Sequence, residues 1–148
     1  MFGAPGHAYV YFIYGMHHCF NVVCGRAGRP MAVLVRALEP LVGLEAMAKR
    51  RGFATPRRLT SGPGALAKSL ALGREHDGVD LTRGPLWVAD LPAARGREPV
   101  ARGARIGIRL GADRPWRYWV ASSAFVSRGP PPTRQDSASG RPRLREAR

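Results

Sequence analysis

Apolar and aromatic side chains crowd the start of the chain in two runs with a short break between them. Residues 8–14 (AYVYFIY) and 18–24 (HCFNVVC) are rich in aromatic and β-branched types, and Gly15-Met16-His17 separates them, so the pattern predicts a β-hairpin. A Gly- and Arg-rich turn over 24–30 leads to a third predicted strand at 31–38, antiparallel to the second. Pro40 suits the first turn of a helix, and Leu41, Leu44, Met47 and Ala48 recur at helical spacing as far as Arg51. Lys49, Arg50 and Arg51 then fall where the negative end of the helix dipole favours cations. A basic loop is expected over 52–60. A second helix should open at a Ser61 cap, carry Leu66 and Leu70 on one face and stop at Gly73. Further strands are expected at 86–89, 104–110 (with Ile106 and Ile108 alternating around Gly107) and 116–127. The class is α+β: a mixed, largely antiparallel sheet with a few helices.

The chain's 148 residues suffice for one domain with a single core. From 129 to 148 the sequence becomes Pro-, Ser- and Arg-rich, with Leu144 as its one large aliphatic residue, and is expected to be a disordered basic tail after a domain spanning 1–128. The formal charge is +14. Arg134, Arg141, Arg143, Arg145 and Arg148 against Asp136 and Glu146 leave +3 in the tail and +11 on the remainder, so the basic character belongs to the domain itself. Such a balance concentrates polyanions and points to nucleic acid or an anionic surface as partner. The basic residues are almost all Arg, with Lys only at Lys49 and Lys68. No apolar run is long enough to cross a bilayer, and no secretion signal opens the chain, so a cytoplasmic, reducing setting is expected, nucleoid-associated if the source is bacterial. Cys19 and Cys24 read as buried thiols.

Tyr9, Tyr11, Phe12, Tyr14, His17, His18 and Phe20 cluster in the hairpin of a basic protein, and aromatics beside Arg are what base stacking uses. Tyr9, Phe12 and Phe20 are expected to fill the core, whereas Tyr14 precedes Gly15 at the tip, where a core would gain little from it. His18 and Cys19 point to opposite faces of a strand and cannot easily share a zinc ion; no metal or other cofactor is expected. Gly62-Pro63-Gly64 before a helix could meet a phosphate through free N–H groups, though it lacks the Gly-Lys-Ser/Thr ending of a P-loop.

In order and spacing, residues 9–21 (YVYFIYGMHHCFN), 34–40 (LVRALEP) and 43–47 (GLEAM) resemble the alkyladenine (3-methyladenine) DNA glycosylases. Ser61-Gly62-Pro63, Arg105-Ile106-Gly107-Ile108 and residues 115–120 (PWRYWV) continue the resemblance, which covers about residues 1–128. It implies base-excision repair of damaged double-stranded DNA by a protein acting as a monomer. The nucleotide is rotated out of the duplex, and the bond between an alkylated purine and its deoxyribose is hydrolysed. It further implies that Tyr14 is the wedge filling the vacated space, that Tyr11 packs on the flipped base, and that Asn21 crowds the exocyclic amine of a normal guanine. Met16 matches a position close to DNA at the tip, while Arg36 and Ile106 match positions around the attacking water. The family's water-activating Glu, a Tyr and a base-holding His match nothing here and would precede Met1, which leads to the expectation of a domain lacking its amino-terminal part, with its general base outside this chain. A non-catalytic DNA-binding remnant and a basic RNA-associated protein are the alternative readings.

Overall fold

The computed structural model describes residues 1–90 and 98–127. They fall in two compact units, one of residues 1–90 with 123–127 and one of 98–122. The expected tail over 129–148 lies outside the described residues.

In the first unit the predicted hairpin forms from β1 (Ala8–Ile13) and β2 (His17–Val23), and β3 (Ala32–Leu34) extends it in the order β1-β2-β3, all antiparallel. The β1–β2 register pairs Tyr9 with Asn21, Val10 with Phe20 and Tyr11 with Cys19. Neighbours along a strand alternate faces, and directly paired residues share one. This register therefore sorts the hairpin into two sets: Ala8, Val10, Phe20 and Val22 on one face, Tyr9, Tyr11, Cys19 and Asn21 on the other. The first set is the core face. Ala8, Val10 and Phe20 are buried with Leu66, Ala67, Leu72 and Leu81, and Val22, Val35 and Leu70 pack around them. Of the aromatics expected in this core, Phe20 is buried and Tyr9 half-buried, but Phe12 pairs with His18, their rings 5.0 Å apart, and remains 53% exposed.

Three helices surround this core. α1 (Leu44–Arg51) starts later than Pro40 suggests, because Gly43 takes a left-handed conformation (φ 75°) as its amino-terminal cap and leaves Leu41 and Val42 exposed. Its end follows expectation: Gly52 returns its N–H to Ala48 O at 2.8 Å. The segment predicted as a loop over 52–60 contains α2 (Pro56–Leu59), with Pro56 opening the helix and Leu59 fully buried. α3 (Pro63–Ser69) is capped by Gly62 rather than Ser61 and buries Leu66 and Ala67 against the hairpin. It lies so close to β2 that a Cβ on Gly64 would meet the His17 ring at 2.9 Å. The Ser69 hydroxyl donates to Leu59 O at 2.5 Å, and Arg50 Nη1 donates to Ser69 O at 2.7 Å, joining all three helices.

Two predicted strands are absent. Residues 86–89 form no strand; Val88 N–H makes a single bond to Leu81 O, while Trp87 and Val88 are exposed. In the second unit the strand lies earlier than expected, at β4 (Val100–Gly103), paired antiparallel with β5 (Arg117–Val120). Residues 104–110 belong to the intervening loop. Gly107 and Gly111 have φ of 75° and 64° there, and Arg105 occupies the carbonyls of Leu110 and Gly111 with its side chain, so the Ile106/Ile108 alternation does not mark a strand. The fold class is α+β with antiparallel sheets and few helices, as the sequence implies. No helix among the described residues is long and apolar enough to cross a membrane.

Candidate nucleic-acid interface

The hairpin face turned away from the core gathers Tyr9, Tyr11, Cys19 and Asn21. Tyr9 and Tyr11 stack with ring centroids 5.3 Å apart. Asn21 is buried, and its side-chain N–H groups donate to Tyr9 O (3.0 Å) across the hairpin and to Cys19 O (3.4 Å), which fixes the amide beside the two rings. Burial and the adjacent Cys19 thiol push the Tyr11 phenol up to about 12, so at neutral pH it presents an uncharged, electron-rich ring. The pairing of Tyr11 with Cys19 was implicit in the strand alternation but invisible until the register was fixed.

At the tip, Tyr14 is 76% exposed and Met16 68% exposed. Tyr14 has φ of 56°, a left-handed conformation that a bulky side chain adopts at a cost of about 1–2 kcal/mol. Its ring is thus held out from a tight turn closed by the Met16 N–H to Ile13 O bond (3.3 Å).

Arg36 stands elsewhere in the first unit. Val35 N–H donates to Phe20 O at 3.1 Å, continuing the pairing beyond β3, so alternation carries Arg36 to the same side as Leu34 and Asn21. Its carbonyl accepts from Gly62 N–H at 2.9 Å. Arg36, Arg51, Arg58, Ser61, Gly62 and Ser127 line a cleft of about 480 Å³. Arg51 and Arg58 both lie over the Phe53 ring, at 5.0 and 4.8 Å. Arg51 Nε is buried with no hydrogen-bond partner among the described residues, and no carboxylate appears among the described residues lining the cleft. Guanidinium groups gathered in one cleft favour an anionic oxygen there. No sequence pattern signals this convergence, because its members come from the strand edge, the end of α1 and α2; by sequence Arg51 and Arg58 read only as a helix terminus and a basic loop.

Ile106, the remaining residue singled out from sequence, is half-buried in the β4–β5 loop of the second unit. Tyr11 and Asn21 are thus brought onto one face, Tyr14 and Met16 onto the tip, and Arg36 into the cationic cleft.

The family model for methylpurine-DNA glycosylase (MPG) matches residues 1–124. The chain belongs to this family. Among its relatives are proteins carrying the name “Putative 3-methyladenine DNA glycosylase” from Carboxydothermus hydrogenoformans, 45% identical over 128 residues (86% of this chain, 67% of the relative), and from Nitrosospira multiformis, 46% identical over 128 residues (86% and 65%). A third, of the same name, from Methanoculleus marisnigri is 48% identical over 130 residues (86% and 68%). The chain spans about two thirds of the length of these curated relatives. Glycosylases of this family are by name hydrolases that cut the N-glycosyl bond of a methylated purine in DNA, the first step of base-excision repair.

Proposed function

We propose that this chain engages damaged double-stranded DNA as a glycosylase of alkylated purines such as 3-methyladenine, with Tyr14 wedged into the stack in place of the extruded nucleotide. The observation that carries this reading is the Tyr14 ring, exposed and held at a strained tip of a hairpin whose other face is anchored in the core. A free aromatic at such a position gains nothing for the fold, and an inserted side chain offsets part of the cost of unstacking a base.

Tyr11 then receives the flipped base. Alkylation at a purine ring nitrogen leaves the base electron-poor and cationic, and a neutral phenol ring attracts such a base through its face. Asn21, locked by Tyr9 and Cys19 carbonyls, provides the fixed bulk against which a guanine amine would collide. Met16 meets the duplex beside the wedge. Arg36, with Arg51 and Arg58, supplies a site for anionic oxygen suited to a backbone phosphate or to the water that attacks the sugar carbon.

Hydrolysis requires a group to take a proton from that water. Among the described residues several acids are committed to local structure: Asp77 accepts from Val10 N–H, Asp80 from the Thr82 amide and hydroxyl, and Glu98 from the Ser122 hydroxyl. This favours one second reading, a DNA-binding protein that recognises the lesion without cutting. The deciding experiment measures binding to duplexes with and without an abasic site, alongside release of free base from methylated DNA. Preferential abasic-site binding with base release supports the glycosylase. Preference without release supports the second reading, and equal affinity for both duplexes overturns the wedge.

A further inference from the structure

The second unit carries a cationic cluster for which the lesion-binding hairpin has no use. In the loop joining β4 to β5, Arg105 and Arg114 both lie against the Trp116 ring, their guanidinium carbons 5.3 and 4.7 Å from its centroid. Their side chains converge beside Gly111, where an added Cβ would sit 2.8 Å from Arg105 Nη2 and 3.5 Å from Arg114 Nε. Arg105 is locked in place: Nε donates to Gly111 O (3.1 Å), Nη2 donates to Leu110 O (2.8 Å), and its backbone N–H bonds Ala112 O (3.0 Å). Arg114 is held differently. Its N–H bonds Gly111 O (3.3 Å) and its carbonyl accepts from Trp116 N–H (2.8 Å), but among the described residues its guanidinium has only the ring. Among the described residues neither arginine has an ion pair, and the Arg114 head has no acceptor for its five N–H groups.

Two like charges brought together on one half-exposed ring, one fixed and one with every donor unfilled, form a preorganised fork for an oxyanion. We propose that the Arg105–Arg114–Trp116 cluster clamps a phosphodiester of the DNA backbone, as a contact separate from the wedge. The commitment to nucleic acid rests on the DNA-binding reading and on charge: a chain of +14 repels cationic partners and attracts a polyphosphate. A stacked guanidinium also loses little freedom when it binds, which suits a contact that grips any sequence. The clamp therefore adds affinity and salt dependence without adding lesion preference.

The test uses the whole chain and a short undamaged duplex, with affinity measured across a range of salt. Each phosphate neutralised contributes about −0.9 to the log–log slope. Arg114→Ala should make the slope shallower by about that amount and weaken binding several-fold at low salt, while the ratio of affinities for abasic and undamaged duplexes stays unchanged. Arg114→Lys keeps the charge and should restore the slope. Trp116→Ala, which frees both arginines, should weaken binding without the slope change, and its thermal unfolding, recorded alongside, identifies any variant that has lost its fold. Vesicles containing phosphatidylserine and inorganic phosphate serve as alternative anions. A wild-type slope retained in Arg114→Ala overturns the clamp while leaving the glycosylase reading standing. Loss of vesicle binding with DNA binding intact overturns the assignment to DNA. Wild-type chain that ignores duplex DNA overturns the DNA reading and the clamp with it.

Discussion

Replacing Tyr14 separates a wedge from a structural residue. At 76% exposure the ring buries little apolar surface, so Tyr14→Ala should change stability by less than about 0.5 kcal/mol. The backbone cost of φ 56° remains for alanine, whereas Tyr14→Gly relieves it and should stabilise the fold by roughly 0.5–1 kcal/mol. Binding should move the other way. Losing an aromatic that stacks in the vacated site costs about 1–3 kcal/mol, which is roughly 5- to 150-fold in affinity for a duplex carrying an abasic site. Fluorescence anisotropy titrations on labelled abasic and intact duplexes, with melting curves on the same samples, report both quantities. Alanine and glycine should lose abasic preference alike, although they differ in melting temperature. The reasoning is refuted if Tyr14→Ala melts lower by several degrees, on the order of 4 °C per kcal/mol for a chain of this size, while abasic-site affinity is unchanged.

Leu66, fully buried where α3 meets the hairpin, should cost about 2–5 kcal/mol as Leu66→Ala, read by chemical denaturation; a cost under 1 kcal/mol would place the core elsewhere. Asn21→Ser should lose the Nδ2 bond to Tyr9 O, lowering stability by about 1 kcal/mol, and should narrow the preference for alkylated adenine over normal guanine, because selectivity is a difference between two affinities. Unchanged selectivity in competition binding would remove Asn21 from the base site. Tyr11 holds its proton to about pH 12 in the folded chain against about 10 when unfolded, so the folded state binds more protons in that window and stability should fall as pH rises through it. Ultraviolet titration should show a late phenolate transition that disappears in Tyr11→Phe.

Local chemistry made some of this architecture legible and left other parts hidden. The hairpin could be read because aromatic and β-branched runs flanking Gly15 leave few alternatives, and the exposure of Tyr14 followed from its place at the tip. The start of α1 is ambiguous in sequence because Pro40 and Gly43 both favour a helix beginning, and the helix starts after Gly43 because that residue takes a left-handed backbone. The 104–110 strand failed for a similar reason, since alternating Ile106 and Ile108 suggest pairing while Gly107, Gly111 and the Arg105 side chain fold the segment into a loop. The Arg36–Arg51–Arg58 cleft was out of reach of sequence periodicity, being assembled from three elements distant along the chain.

On the proposed reading, there is a mechanical reason for the wedge and the base platform to occupy one hairpin. Extrusion demands a probe that does not yield when pressed into a stacked duplex, and a two-stranded ribbon alone is too weak to resist. Here Val10 and Phe20 fasten one face to Leu66 and Ala67, and the outer edge of β1 is tied down by the Asp77 carboxylate, which accepts from Val10 N–H at 2.9 Å. With the ribbon fixed from one side and one edge, its other face carries the Tyr9–Tyr11 stack beside the buried Asn21 amide and Cys19 thiol, the set that the proposed reading assigns to a base. The strain stored at Tyr14 is tolerable for the same reason, because the turn that holds it joins two strands already committed to the core. A substitution that loosens that attachment without touching DNA, such as Val10→Ala, should therefore weaken abasic-site preference more than undamaged binding. Equal losses on the two duplexes would show that the wedge does not depend on the rigidity beneath it.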